Sequence, residues 1–306
     1  MRILLAAPRG FCAGVNMAVE ALDRALTLMG APLYVFHEIV HNRHVVDRFR
    51  AKGAVFVNDL TEVPPGGNVM YSAHGVSPAV HRSAVERGLN VIDATCPLVR
   101  KVHHEAVRFA ELGYTIVLIG HDGHDEVVGT LGYVPGGMHL VECPEDVDRL
   151  DIAETEKVAY LTQTTLSVDE ANVIIERLKR RYPHCVGAPK EDICYATQNR
   201  QEALKRLLPL GDAVLVVGSR NSSNSNRLVE VAHEFGCPAW LVDDASELER
   251  AWFAGKQTLI VTAGASAPED LVRQCVAAIC EWFDASVEEH AVREEQIEFP
   301  LPLEVR

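Results

Sequence analysis

Eleven short apolar runs recur along the chain, at residues 2–7, 33–36, 54–57, 69–72, 91–95, 115–119, 138–141, 158–161, 213–217, 239–242 and 258–262. Between them lie stretches with apolar residues at helical spacing, such as Val15, Ala18, Val19, Leu22, Ala25 and Met29, closed by Gly30. A run that is apolar at every position must bury both faces. A chain that returns through a helix after each strand must pair its strands in parallel. The alternation predicts an α/β protein on parallel sheets, with about two or three compact units in 306 residues.

Three cysteines mark a repeat within this alternation. Cys12 lies in "RGFCAGVNMAVEAL", Cys96 in "DATCPLVRKVHHEAVRFAELG" and Cys194 in "DICYATQNRQEALKRLL". Each stands at a predicted helix start. Pro97 is suited to the first helical position after Cys96, and Thr197 to capping the helix after Cys194. Downstream, each unit has a strand ending in a polar loop ("HEIVHNR", "GHDGHDE", "GSRNSSNSNR") and then a second such junction ("SAHGVS", "TQTTLS", "TAGASAP"). Gly120 and Gly218 each lie 24 residues after their cysteines. Strand and helix recur in any α/β chain, so the cysteine at a helix start, three times over, carries the inference. The expected fold is three similar parallel-sheet α/β units in a pseudo-threefold trefoil around a central cavity. Residues 1–95, 96–193 and 194–285 would form the units, and 286–306 an extended tail.

The net charge of −14 argues against a broad nucleic-acid surface but allows an anionic small ligand held by local donors. No apolar run is long enough for a membrane helix, and the first residues carry no signal-like or transit-like pattern. A cytoplasmic location is the expectation. There, eight cysteines without a C-x-x-C pair suggest metal binding, catalysis or plain burial, not disulfides.

In parallel α/β sheets, ligands bind at the carboxyl ends of the strands, where all of these loops fall. A helix start favours the thiolate form of cysteine, and three converging thiolates call for a metal. Three thiolates leave one iron of a [4Fe–4S] cluster open for a substrate. Cys143, Cys185, Cys237, Cys275 and Cys280 read as buried core. His121 and His124 in "HDGHDE" lack a third close ligand for zinc. The histidines at strand ends, His41, His74, His121 and His124, can donate to phosphate oxygens. Ser222, Ser223 and Asn224, in "NSSNSN" before a helix, make an anion site, with Arg220 and Arg227 nearby. There is no P-loop. Glu126, beside Asp122 and Asp125, is either a proton donor or a solvated loop charge. A metal-holding sensor without turnover and a thiol oxidoreductase remain open on these residues alone.

The segments "PRGFCAGV", "HEIVHN", "SAHGVS", "DATCPLV", "GHDGHDE", "TQTTLS", "ICYATQNRQ", "GSRNSSNSNRL" and "VTAGASAP", with the closing "VREEQIEF", together resemble the 4-hydroxy-3-methylbut-2-enyl diphosphate reductase family. The resemblance spans essentially the whole chain. It implies an oxidoreductase that ends the methylerythritol phosphate route, making isopentenyl and dimethylallyl diphosphate on a [4Fe–4S] cluster. It also implies Cys12, Cys96 and Cys194 as cluster ligands and Glu126 as proton donor. His41, His74, His124, Thr164, Ser222, Ser223, Asn224 and Ser266 would hold the substrate, with Thr164 near its hydroxyl. Reduced ferredoxin or flavodoxin would supply electrons.

Overall fold

The computed structural model describes residues 1–153 and 156–306. β1 (Arg2–Ala7) leads through the Cys12 turn into α1 (Ala13–Met29). There follow β2 (Leu33–Phe36), α2 (Arg43–Ala51), β3 (Ala54–Val57), β4 (Asn68–Tyr71), α3 (Pro78–Glu86) and β5 (Asn90–Asp93). Then come α4 (Pro97–Glu111), β6 (Thr115–Ile119), α5 (Asp125–Leu131), β7 (Met138–Val141), α6 (Pro144–Arg149), β8 (Val158–Thr162), α7 (Val168–Arg181) and β9 (Val186–Gly187). The chain closes with α8 (Tyr195–Leu207), β10 (Ala213–Val217), α9 (Ser223–Glu234), β11 (Ala239–Val242), β12 (Thr258–Ala263), α10 (Glu269–Phe283) and β13 (Ser286–Ala291).

These strands form three sheets, ordered β3-β2-β4-β5, β7-β6-β8-β9 and β11-β10-β12-β1-β13, parallel throughout. The sheets are covered on their faces, as their uninterrupted apolar strands require. Every residue of β10 and β12 is buried. On one face of that sheet pack Leu271, Val272, Cys275 and Ile279 of α10, and on the other Leu204, Leu207, Leu228 and Val231 of α8 and α9. Each such side chain contributes about 1.5–3 kcal/mol by leaving water. On the β6 sheet, Val102, Ala106 and Phe109 of α4 cover one face and Ala171, Ile174 and Leu178 of α7 the other.

The repeat is real, but its register differs from the linear division at 95, 193 and 285. In each sheet four strands run second-first-third-fourth, with β13 added as a fifth at the edge of the last, and a cysteine helix follows the fourth strand. Cys96 follows β5, Cys194 follows β9, and Cys12 follows β1. The first strand of the chain is therefore the fourth strand of the last repeat. Its Leu4 pairs with Ile260 of β12 on one side and Glu288 of β13 on the other. A parallel strand needs a crossover and not a neighbour in sequence, so linear order says little about its partners. The tail also differs: residues 286–291 form a strand, not an extended cover. "SVEEHA" is a mostly exposed edge strand without apolar alternation, so it carries no strand signal of its own. α8 starts at Tyr195, which places Thr197 inside its first turn instead of at its cap.

The chain divides into two compact units. The first comprises Met1–Asn16, Val40–Arg48 and Tyr195–Glu298, and the second Met17–Ile39, Phe49–Cys194 and Phe299–Arg306.

Candidate active site

The three cysteines share one local geometry. Each immediately precedes the first residue of a helix, and Cys96 is the cap residue before Pro97. Each also donates its backbone N–H to a carbonyl in the loop after the third strand of its sheet. Cys12 donates to Ala265 (3.2 Å), Cys96 to Ala73 (3.0 Å) and Cys194 to Thr164 (3.0 Å). All three are half-buried reduced thiols. Of the five cysteines assigned to the core, Cys185, Cys237 and Cys275 are buried, whereas Cys280 is half-buried and Cys143, half-buried too, is the cap residue of α6 and not core. Burial pushes the thiols of Cys185 and Cys275 up to about 12 and raises those of Cys237 and Cys280. Such thiols stay protonated and inert.

In the first unit, polar side chains gather around the start of α9. Ser222 is its cap residue, and Ser223 and Asn224 are its first two helical residues. The buried Ser222 Oγ accepts from Asn224 Nδ2 (2.8 Å) and Ser225 Oγ (3.1 Å) and lies 3.2 Å from Ser266 Oγ. Ser266 Oγ donates to the His41 carbonyl (3.0 Å), and Asn224 Oδ1 accepts from the Ala265 N–H (2.6 Å). The "NSSNSN" and "GASAP" loops are thus tied together, with His41 joined to the second through Ser266. Glycine is required at the strand ends beneath them. A Cβ at Gly264 would lie 2.0 Å from Ser225 Oγ, and one at Gly218 2.3 Å from it. Beside His41, fully buried Asn42 caps α2 through its Oδ1 (3.1 Å to Val45 N) and has no protein partner for Nδ2. The site is rich in neutral donors at a helix N-terminus, which suits an anion. The nearby arginines contribute less than the sequence suggested: Arg220 is exposed, and Arg227 pairs with Glu230.

In the second unit, Glu126 sits in the first turn of α5, only 2 % exposed. Its Oε1 accepts the Thr164 N–H (2.7 Å) and its Oε2 the Thr164 hydroxyl (2.8 Å). Burial raises its pKa to about 7, against the opposing pull of those two bonds. The solvated-loop reading of Glu126 is thereby excluded. Thr164 joins the carboxyl to the Cys194 backbone, since its carbonyl accepts the Cys194 N–H. His124 caps α5 with Nδ1 accepting from the Glu126 N–H (3.1 Å), which in a neutral ring places the proton on Nε2. His74 meets His124 edge-on, their ring centres 5.9 Å apart.

Sequence reasoning missed two partners here. Asp125 Oδ1 lies 2.6 Å from His37 Nδ1 and raises the His37 pKa through that bond. Its other oxygen lies 4.0 Å from His74 Nδ1. "HEIVHN" holds two histidines, His37 and His41, and nothing local says which element each serves.

Three parallel α/β repeats, each delivering a cysteine to a helix start, together with an anion-suited loop cluster in the first unit and a buried carboxyl of raised pKa in the second, define an α/β enzyme class. A family profile described as LytB protein matches residues 3–280, and the chain belongs to that family. It is 56% identical over 306 residues to the 4-hydroxy-3-methylbut-2-enyl diphosphate reductase of Rhodopirellula baltica, covering 100% of this chain and 96% of that protein. It is 54% identical to the same reductase of Methylococcus capsulatus over 309 residues, 100% of this chain and 99% of the relative. The solved E-1-hydroxy-2-methyl-but-2-enyl-4-diphosphate reductase of Plasmodium falciparum superposes with a TM-score of 0.96 at 38% identity, covering 99% and 96% of the two chains. A second solved structure, described as the terminal enzyme of the non-mevalonate pathway, matches with a TM-score of 0.65 at 32% identity over 92% of this chain and 100% of that one. Among the described residues, no helix is long and apolar enough to cross a membrane.

Proposed function

We propose that this chain catalyses the reaction its relatives are named for, the reductive dehydroxylation of 4-hydroxy-3-methylbut-2-enyl diphosphate. Two electrons and two protons enter, the allylic C–O bond breaks, and water leaves with isopentenyl or dimethylallyl diphosphate as product. The observation that carries the reading is Glu126: a buried carboxyl held by Thr164, with a pKa raised to about 7.

The donor set fits an iron–sulfur group. Three reduced cysteines stand at helix starts, with backbones anchored by the same bond in each repeat. Cys12, Cys96 and Cys194 would hold the cluster. When bound, it would supply electrons and a Lewis-acidic iron with an open coordination position. Reduced ferredoxin or flavodoxin is the electron donor in this reading.

The chain's own residues supply the rest. Ser222, Ser223, Asn224 and Ser266 hold the diphosphate with hydroxyl, amide and helix-start donors. His41, His74 and His124 add imidazole donors, with His124 presenting Nε2–H. Anchoring the diphosphate orients the hydroxymethyl end and limits the conformations that must be searched before reaction. Glu126, protonated near neutral pH, gives its proton to the leaving oxygen, and Thr164 holds both that carboxyl and the substrate hydroxyl in place.

Purification without oxygen should yield a brown protein with iron and sulfide in equal amounts, and reductase turnover should follow that content. A colourless, iron-free protein with full turnover would overturn the reading. The diphosphate site has its own test. Gly264→Ala drives a Cβ into Ser225 and Asn224. The overpacking should cost about 1–3 kcal/mol. Should that strain fall on the loop, calorimetric titration will show diphosphate affinity roughly tenfold weaker.

A further inference from the structure

We propose that the ion pair between buried Arg200 and half-buried Glu295 is a positioning device that holds the Cys12 turn ready to ligate metal, an inference that rests on Cys12 being a cluster ligand. Arg200 is on α8 and 2 % exposed, the largest fully buried side chain among the described residues. Its guanidinium grips the turn just before Cys12. Nε and Nη2 donate to the Gly10 carbonyl (3.1 and 2.6 Å), and Nη2 also reaches the Phe11 carbonyl (3.4 Å). Nη1 donates to its own helix at Ala196 O (2.9 Å) and to Glu295 Oε1 (3.0 Å). Glu295 comes from "VREEQIEF", the closing segment that the catalytic reading leaves without a role. Asn199 Nδ2 donates to the same carboxylate (2.9 Å), and Arg293 Nη1 in turn to Asn199 Oδ1 (3.2 Å).

The other polar groups of the turn are held as well. Gly10 N donates to Ala263 O (3.3 Å), Cys12 N to Ala265 O (3.2 Å), and Cys12 O accepts from Asn16 N (2.9 Å). The Ala13 N–H donates to the Tyr195 hydroxyl (3.2 Å), again from α8. Gly10 takes φ +65°, and a Cβ there would lie 3.1 Å from Ala267 O, so the turn is shaped for glycine. The carbonyls of Gly10 and Phe11 thus both depend on one guanidinium, while the N–H groups of Gly10, Cys12 and Ala13 are held by other partners. A buried arginine needs a carboxylate to stay there, and Glu295 supplies it. The planar fork matters: lysine, a point charge, cannot span two carbonyls and a carboxylate. The closing segment is therefore part of the metal site without donating a ligand to it.

The test uses the full-length chain, purified without oxygen and treated with a chelator. Iodoacetamide labelling rates at Cys12, Cys96, Cys194 and core Cys275 are read by peptide mass spectrometry. In Glu295→Gln the loss of a charge-assisted bond should speed Cys12 labelling about tenfold. The other three sites should hold steady. Arg200→Lys should behave likewise. Arg200→Met/Glu295→Leu, which removes the charges together and keeps the volume apolar, guards against simple misfolding. It too should loosen Cys12 selectively. Unchanged Cys12 labelling in all three variants would overturn the proposal, as would acceleration of all four cysteines together, which reports global opening. Iron content of the untreated wild-type protein judges the cluster reading separately, because the labelling ratio does not depend on it.

Discussion

Glu126→Gln should retain the metal group and bind the diphosphate with nearly unchanged affinity, yet lose turnover by about 10²–10⁴-fold, the range for removing a general acid. Gln keeps the shape; its oxygen can still accept the Thr164 N–H and its NH2 can donate to a Thr164 hydroxyl turned to accept, but its amide has no proton of carboxyl acidity to give. The pH dependence follows from the same group. Wild-type turnover should fall as pH rises through about 7, where Glu126 ionises, and the residual rate of the variant should lack that limb. Stability should move in a linked way. Below the ordinary value of 4.5 the carboxyl is protonated folded or unfolded; between 4.5 and about 7 only the folded chain keeps the proton. The folded state therefore loses stability as pH rises through that window, and Glu126→Gln removes that slope from denaturant titrations. A variant with wild-type turnover under saturating reductant would refute the proton-donor role.

Cys96→Ala should lower iron affinity by more than about a hundredfold, since even a supporting residue at a metal site is worth 10–100-fold. It should abolish turnover and leave the fold intact. The fold should survive because the Cys96 side chain makes no capping bond to α4, and Pro97 already suits the helix start. Its anchoring bond to Ala73 runs through the backbone, which alanine keeps. Cys275→Ala is the opposite control. Cys275 is a fully buried residue of α10 on its core-facing side. Its loss should cost stability through a cavity but leave iron content and turnover per folded molecule unchanged. Full iron in purified Cys96→Ala protein would remove Cys96 from the ligand set.

Much of this was legible from local chemistry. The apolar runs became strands because buried parallel strands need apolar residues on both faces. Val99, Val102, Ala106 and Phe109 became the buried face of α4 because helical spacing leaves no other arrangement. Cys96 before Pro97 marked a helix start for the same local reason. Signals failed where a segment is defined by what it pairs with. β13 is polar and is a strand only because β1 presents an open edge. Arg200 reads as a surface helix residue until the Gly10 turn and Glu295 enclose it.

The sequence by itself determined the fold class, the identities of the cysteines and hydroxyl-rich loops, and the family, because each depends on residue type and short-range spacing. Tertiary structure alone decided the register of the repeat, with β1 as the fourth strand of the last repeat, because parallel pairing is indifferent to distance along the chain. It also decided the state of Glu126. A glutamate in "HDGHDE" is an ordinary acid until burial withdraws water and leaves Thr164 as its support, and only then does it keep its proton up to near neutral pH.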